Sequence, residues 1–314
     1  MNKRPIIIDT DPGIDDALAI AIALFSDELD VRLISTVAGN VGLDKVTYNA
    51  LRLLKYFGRE DVPVAVGADR PLIREFEDAS SVHGKSGMEG FDFEEPTQQP
   101  LKENAVDAMR NVIMNSSEPV TLVPIAPLTN IALLLKTYPE VKRNIREIVL
   151  MGGSASRGNK GVMAEFNIAL DPEAAHMVFH SGVKLTMVGL DVGLKALVLP
   201  EDSEEIRTMN KTGEMAYCLF KKYRGGSFRT GLKMYDATAV AYLLKPELFE
   251  AVETYLDVEL HGTMTAGCTL VDLKGYLGKE PNATVCLDID GNAFRTWFKE
   301  AIADRKSTRL NSSH

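Results

Sequence analysis

The stretch Asp9-Thr10-Asp11-Pro12-Gly13-Ile14-Asp15-Asp16 constrains this chain more than any other, because it sets four carboxylates directly after the apolar run Pro5-Ile6-Ile7-Ile8. The apolar run, the Pro-Gly pair and the long apolar segment from Ala17 to Phe25 read as a buried strand, a tight turn and a buried helix. Alternate residues on a strand share a face, which predicts that Asp9 and Asp11 point one way and Thr10 the other. Asp15 and Asp16 fall at the helix start, where the helix dipole favours negative charge. Four carboxylates crowd one crevice as anions only around a positive charge. A hard divalent cation with oxygen ligands is the simplest such charge. Helix capping or a strand-end turn accounts for any single Asp, but not for the cluster.

A haloacid-dehalogenase-type phosphatase also carries Asp-x-Asp after its first strand. That chemistry needs a downstream lysine and a further acidic pair. Only Asp288 and Asp290 come near the description, and their spacing and late position fit it poorly.

With 314 residues, 45% hydrophobic and 25% charged, the chain has enough apolar material for a large packed core. A net charge of -9 argues against nucleic acid and anionic membranes as partners. No apolar run reaches membrane length and the N-terminus lacks the shape of a secretory signal, so a cytoplasmic location is expected. Cys218, Cys268 and Cys286 are widely spaced and odd in number, which fits buried thiols in a reducing compartment. His176 and His180 share a helical face, but no Cys or His lies near enough in sequence to complete a zinc site. Both are read as surface residues without a carboxylate partner on that face.

Strand-like runs alternate with helical ones through residue 190, the signature of an α/β fold. The expected architecture is a single-domain, open, Rossmann-like sheet, mostly parallel and mixed at one edge, with helices on both faces. One domain is expected over 1–305, followed by a disordered tail over 306–314. Strands are predicted at 31–37, 62–66, 120–124, 147–151, 184–188, 252–260 and 283–287, and helices at 43–57, 201–224, 237–244 and 294–302. Residues 69–100 form a Gly-rich acidic loop long enough to suggest a functional role. Residues 224–233, rich in Gly and basic residues, read as a flap. Ligands of open α/β sheets bind beyond the carboxyl ends of the strands. That rule collects Asp9, Asp11, Asn40, the turn at Ile125, Met151 and the Glu165/Asn167 pair. Asp236 joins them as an acid at a helix start.

These residues lie in motifs that resemble those of the inosine-uridine-preferring nucleoside hydrolases. The motifs are Asp-x-Asp-Pro-Gly-x-Asp-Asp, Val37-Ala38-Gly39-Asn40, Val82-His83-Gly84, Pro127-Leu128-Thr129-Asn130-Ile131-Ala132, Met151-Gly152-Gly153, Ala164-Glu165-Phe166-Asn167 and Asp171-Pro172-Glu173-Ala174-Ala175. They occur in order over roughly residues 5 to 303, and the chain looks most like the non-specific bacterial ribonucleoside hydrolases. The resemblance implies an N-ribohydrolase with bound Ca²⁺, held by Asp11, Asp16, Asp236 and the backbone carbonyl of Ile125. It makes Asp11 the general base for an attacking water, and it gives Asp15 and Asn167, assisted by Asn40, the ribose 2′- and 3′-hydroxyls. Met151, Asn159 and Glu165 are expected near the 5′-hydroxyl. His83 and Phe166 are expected to wall the pocket, with His83 and Tyr235 as further catalytic candidates. The resemblance also implies a homodimer or homotetramer, and a role in nucleoside salvage. A non-catalytic ribonucleoside or ribose sensor using the same metal site is the alternative.

Tyr235 stands where purine-preferring relatives have histidine. A phenol titrates near pH 10 and is a weaker acid than imidazolium. Three roles are open to it: leaving-group acid, stacking platform for the base, or packing. Tyr223 and Arg229, in or beside the flap, are further candidates. The bland alternatives are a left-handed turn for Asn40, core packing for Met151, a surface ion pair for Glu165, and cap and packing roles for Thr129 and Asn130.

Overall fold

Ile6 and Ile8 pack into one apolar layer and Ile7 into the other. A strand with apolar side chains on both faces belongs in the middle of a parallel sheet covered by helices. The computed structural model describes residues 3–303 and puts that strand, Arg4–Thr10, in such a position. The sheet runs in the order Phe249–Thr254, Ala283–Ile289, Leu185–Val188, Ile145–Met151, Val120–Pro124, Arg4–Thr10, Leu29–Thr36 and Val64–Val66. Every neighbouring pair is parallel except Phe249–Thr254 against Ala283–Ile289, which makes the edge mixed. The strands after Arg4–Thr10 first extend one way and then, from Val120–Pro124, the other. Such a reversal opens a crevice beyond the carboxyl ends of the two strands that flank it. Asp11 and Ile125 follow those two strands directly.

The helix Ile14–Phe25 is buried along its whole length, between the sheet and the helix Tyr235–Leu244. This sandwiching explains its lack of a polar face. Asp16, in its first turn, accepts from the Gly13 amide at 2.9 Å, satisfying an otherwise orphaned donor at the helix start. The helix Leu43–Phe57 ends on Gly58, whose φ of 64° closes the last turn in a left-handed conformation.

Several sequence boundaries shift. Helix over 201–224 is two helices, Pro200–Arg207 and Lys211–Phe220. Asn210 caps the second by accepting from Gly213, and a side chain on Gly213 would press within 1.8 Å of the Ile206 carbonyl. The flap is a small hairpin, Gly226–Ser227 with Gly231–Lys233, and the latter pairs also with Leu197–Val198. The strand over 252–260 divides into the sheet edge Phe249–Thr254 and Leu256–Val258, which forms a ribbon with Thr269–Val271. The long acidic loop contains the short helix Ser80–His83, and edge-on contacts of Tyr56 with Phe91 and Phe93 pin its far end. No helix of the described residues is long and apolar enough to cross a membrane. The tail expected over 306–314 lies outside the described residues.

Candidate active site

A cavity of about 120 Å³ opens beyond the carboxyl ends of the central strands. Asp11, Asp15 and Asn40 line it from the first two strand ends, and Ile125 and Met151 from the next two. Asn159, Glu165, Phe166 and Asn167 close another side. His83 reaches in from the acidic loop, and Tyr235 and Asp236 from the start of their helix. Asp16, buried, stands behind this lining. Thr10 Oγ1 donates to its Oδ1 at 2.7 Å, and Asn40 Nδ2 to its Oδ2 at 3.1 Å.

Residues two apart do not share a face here. The strand ends at Thr10, so period-two alternation stops one residue short of Asp11. Thr10 therefore serves the acidic cluster while Asp9 faces away. Asp9 Oδ1 accepts from Ser35 Oγ at 2.6 Å and from Asn130 Nδ2 at 2.8 Å, and burial raises its pKa to about 7. Asp9 does not line the cavity, which removes the phosphatase reading that needs it as nucleophile.

The electrostatics of the cluster turn on burial without cationic partners. Among the described residues no lysine or arginine pairs with Asp11, Asp15, Asp16 or Asp236; the nearest base is His83, 3.9 Å from Asp15. Burial, then the charge of Asp16, push Asp11 well above the ordinary carboxylate range and Asp15 to about 7. Burial and the other three carboxylates raise Asp236 likewise. Asp15, Asp16 and Asp236 each offer an oxygen within 4.8 Å of the others. Asp15 thus stands in the mutually close set where the sequence expects Asp11, whose carboxylate lines the same cavity but falls outside that set. Asp11 Oδ2 accepts from the Asn40 amide at 2.6 Å, but Oδ1 is buried with no partner. An all-oxygen donor set with an orphaned carboxylate oxygen fits a hard divalent cation.

Close approach explains two glycines. A Cβ on Gly39 would fall 2.0 Å from Asp11 Oδ2, and one on Gly13 would fall 2.5 Å from His83 Nδ1. His83 Nδ1 accepts from the Ile14 amide at 3.1 Å, so its proton sits on Nε2. Burial lowers its pKa to about 4, which keeps the ring neutral at physiological pH.

The polar wall opposite is held by backbone. Glu165 accepts from the amides of Gly153, Asn167 and Ile168 at 2.9–3.2 Å, and burial raises its pKa to about 7. The surface ion pair open to Glu165 from sequence does not form, because the side chain is buried on these amides. Asn167 Nδ2 donates to the Met151 carbonyl at 3.2 Å, leaving its Oδ1 for a ligand. Asn159 accepts from the Phe166 amide at 2.9 Å. Asn40 is not a left-handed turn residue, since no described non-glycine residue has positive φ. Its side-chain Nδ2 donates to the Asp11 backbone carbonyl and to Asp16 Oδ2.

Tyr223 lines the cavity beside His83, with ring centroids 5.5 Å apart, and sequence reasoning left it outside the core set. The signal for it is Gly225, where a Cβ would fall 2.0 Å from the Tyr223 ring. Ala79 and Val82 also line the cavity, whereas Arg229 is exposed and does not. Thr129 and Asn130 support rather than line it: Thr129 donates to Asp171 and Asn130 to Asp9. His176 and His180 do have a carboxylate partner, Asp257, from the ribbon rather than from their own helix.

The family model described as inosine-uridine preferring nucleoside hydrolase matches residues 6–296. The chain belongs to that family. The non-specific ribonucleoside hydrolase RihC of Klebsiella pneumoniae subsp. pneumoniae is 56% identical over 301 residues, covering 96% of this chain and 99% of the relative. The protein of the same name from Salmonella newport is 54% identical over 298 residues, covering 95% and 97%. Among solved structures, a purine-preferring ribonucleoside hydrolase from Gardnerella vaginalis superposes with a TM-score of 0.90 at 29% identity, covering 97% of this nucleoside hydrolase and 100% of that chain. Relatives named as hydrolases lend no support to the sensor reading.

Proposed function

We propose that this family member hydrolyses the N-glycosidic bond of purine and pyrimidine ribonucleosides, releasing free base and ribose, with calcium as its resident cation. The observation that carries the reading is the unpartnered Oδ1 of Asp11 beside the buried Asp15, Asp16 and Asp236. The breadth of base follows the names of the RihC relatives.

Asp11, Asp16, Asp236 and the Ile125 carbonyl would hold the ion, with Asp15 close enough to join them. When bound, calcium supplies the positive charge that lets the carboxylates ionise together, grips vicinal hydroxyls and lowers the pKa of water in its shell. Asp11 Oδ1 accepts the proton of the attacking water, whose oxygen bonds to C1′ as the C1′–N bond breaks and its electron pair leaves with the base. Asn40, donating to Oδ2, aims that carboxylate. Asp15 and Asn167 Oδ1 accept from the ribose 2′- and 3′-hydroxyls and fix the sugar against its attacker. Met151, Asn159 and Glu165 bound the 5′-hydroxyl end, while His83 and Phe166 wall the pocket. Positive charge grows on the sugar in an oxocarbenium-like state, and an acid-lined cavity is complementary to it.

Ribose release from inosine, uridine and cytidine, with and without a strong chelator, tests the reading. Loss of turnover on chelation and in Asp11→Ala is expected, and normal turnover in Asp11→Ala refutes it. A 2′-deoxyribonucleoside lacks one gripped hydroxyl and should be a poor substrate. A cytoplasmic homodimer or homotetramer serving nucleoside salvage completes the proposal.

A further inference from the structure

His176, on the helix Pro172–Phe179, and His180, at its C-cap, stand one turn apart on the same side. The ribbon strand Leu256–Val258 brings Asp257 against both. His176 Nδ1 lies 3.0 Å from Asp257 Oδ1, and His180 Nε2 lies 3.6 Å from Oδ2. His180 Nδ1 sits 2.9 Å from the His176 carbonyl oxygen. A carbonyl only accepts, so Nδ1 carries the proton and Nε2 keeps its lone pair, 3.1 Å from the Tyr255 hydroxyl that lies between it and the carboxylate. The outer hydrogen bond from Nδ1 is the kind that fixes the tautomer and orientation of a metal-ligating histidine.

The carboxylate is held just as firmly. Asp257 Oδ1 accepts from the Val258 amide at 2.8 Å and Oδ2 from the Tyr255 hydroxyl at 3.0 Å, which in turn accepts from Lys279 Nζ at 2.7 Å. One nitrogen of each ring and one Asp257 oxygen lie within 4.8 Å of each other. Zinc bonds of about 2.0–2.1 Å set tetrahedral ligand atoms roughly 3.3 Å apart, between the two separations found here.

We propose that His176, His180 and Asp257 form a second metal site, for a transition-metal ion of the zinc class, clasping the helix to the ribbon. Imidazole nitrogens suit zinc, copper and nickel, whereas calcium takes oxygen, so the site does not compete with the carboxylate cavity for calcium. None of the three residues lines that cavity. His180 and Tyr255 instead border a separate open cleft of about 550 Å³, which gives the ion a way in and leaves room for water as a fourth ligand.

Titration calorimetry of the calcium-loaded full chain with zinc chloride tests this, comparing wild type with His180→Gln and Asp257→Asn. Asp11→Ala serves to expose any zinc taken by the catalytic cavity. Wild type and Asp11→Ala should each bind one zinc equivalent. Both site variants should bind it at least about tenfold more weakly, since even outer partners of a ligand cost that much. Zinc should raise the Tm of wild type and leave theirs unmoved. Unchanged zinc binding in both variants, or no zinc bound by wild type, overturns the proposal. Ribose release by the variants verifies their fold, and His176→Gln replaces any variant that has lost it.

Discussion

The backbone amide of Asn40 donates to Asp11 Oδ2 at 2.6 Å and leaves Oδ1 of the same carboxylate buried and unpartnered. One oxygen is thereby anchored while the other is free to act. Asp11→Asn keeps the shape but removes the base, so kcat for uridine should fall by about 10²–10⁴-fold, the usual worth of a general base. The far-ultraviolet circular dichroism should not change. Ribose release measured at saturating calcium decides it, and a loss smaller than about tenfold would sink the role.

Gly39 is required for space rather than for flexibility. Because a Cβ there would fall 2.0 Å from Asp11 Oδ2 and 3.0 Å from Pro127, Gly39→Ala must push the carboxylate off its anchor. Overpacking of this kind costs about 1–3 kcal/mol, and turnover should drop with it. Gly42→Ala is the control: nothing lies within 4 Å of its would-be Cβ, so activity should persist. Thermal denaturation and ribose release on the two variants separate the effects.

The metal-free protein should lose stability as pH rises from about 5 to 7. Asp9, Asp15 and Glu165 are each raised to about 7, so the folded chain keeps protons that the unfolded chain has released. Asp11 and Asp236 act in the same direction. His83 opposes them, because its pKa of about 4 means that the unfolded chain holds the extra proton up to its ordinary 6.5. Three carboxyls against one imidazole leave a fall on the order of 1–3 kcal/mol per pH unit. Calcium displaces the ligand protons, so the Tm gained from it should be larger at pH 7 than at pH 5. A chelated protein more stable at pH 7 than at pH 5 contradicts the account.

The periodic part of this architecture was legible and the convergent part was not. The triple isoleucine and the Pro-Gly turn announce a central strand, and the residues after apolar runs supply Asp11, Asn40, Ile125, Met151, Glu165 and Asn167 to the cavity lining. Asp9 misled because the two-residue period holds only within the strand, and a sequence does not show that Thr10 is its last residue. Tyr223 was only a candidate beside the flap, and Asp257 was not singled out, for a different reason. Each meets its partner, His83 in one case and His176 in the other, across a large gap in sequence, and no local spacing encodes such a meeting.

Of the three roles open to Tyr235, which lines the cavity, we propose a ring that walls it rather than a proton donor. Burial, followed by the charges of Asp15 and Glu165, raises its pKa further above the ordinary phenol value, which makes it a weaker acid. Gly193 leaves the ring its place, since a Cβ there would fall 2.4 Å from Tyr235 Cδ1. Tyr235→Phe should therefore slow inosine and uridine by less than about tenfold, below the 10²–10⁴ expected of a general acid. Tyr235→Ala should do more harm, raising KM for both as the wall facing the base is lost. Parallel kcat and KM measurements on the two nucleosides distinguish these outcomes. A Phe variant that loses hundredfold in kcat on inosine alone would restore the acid role.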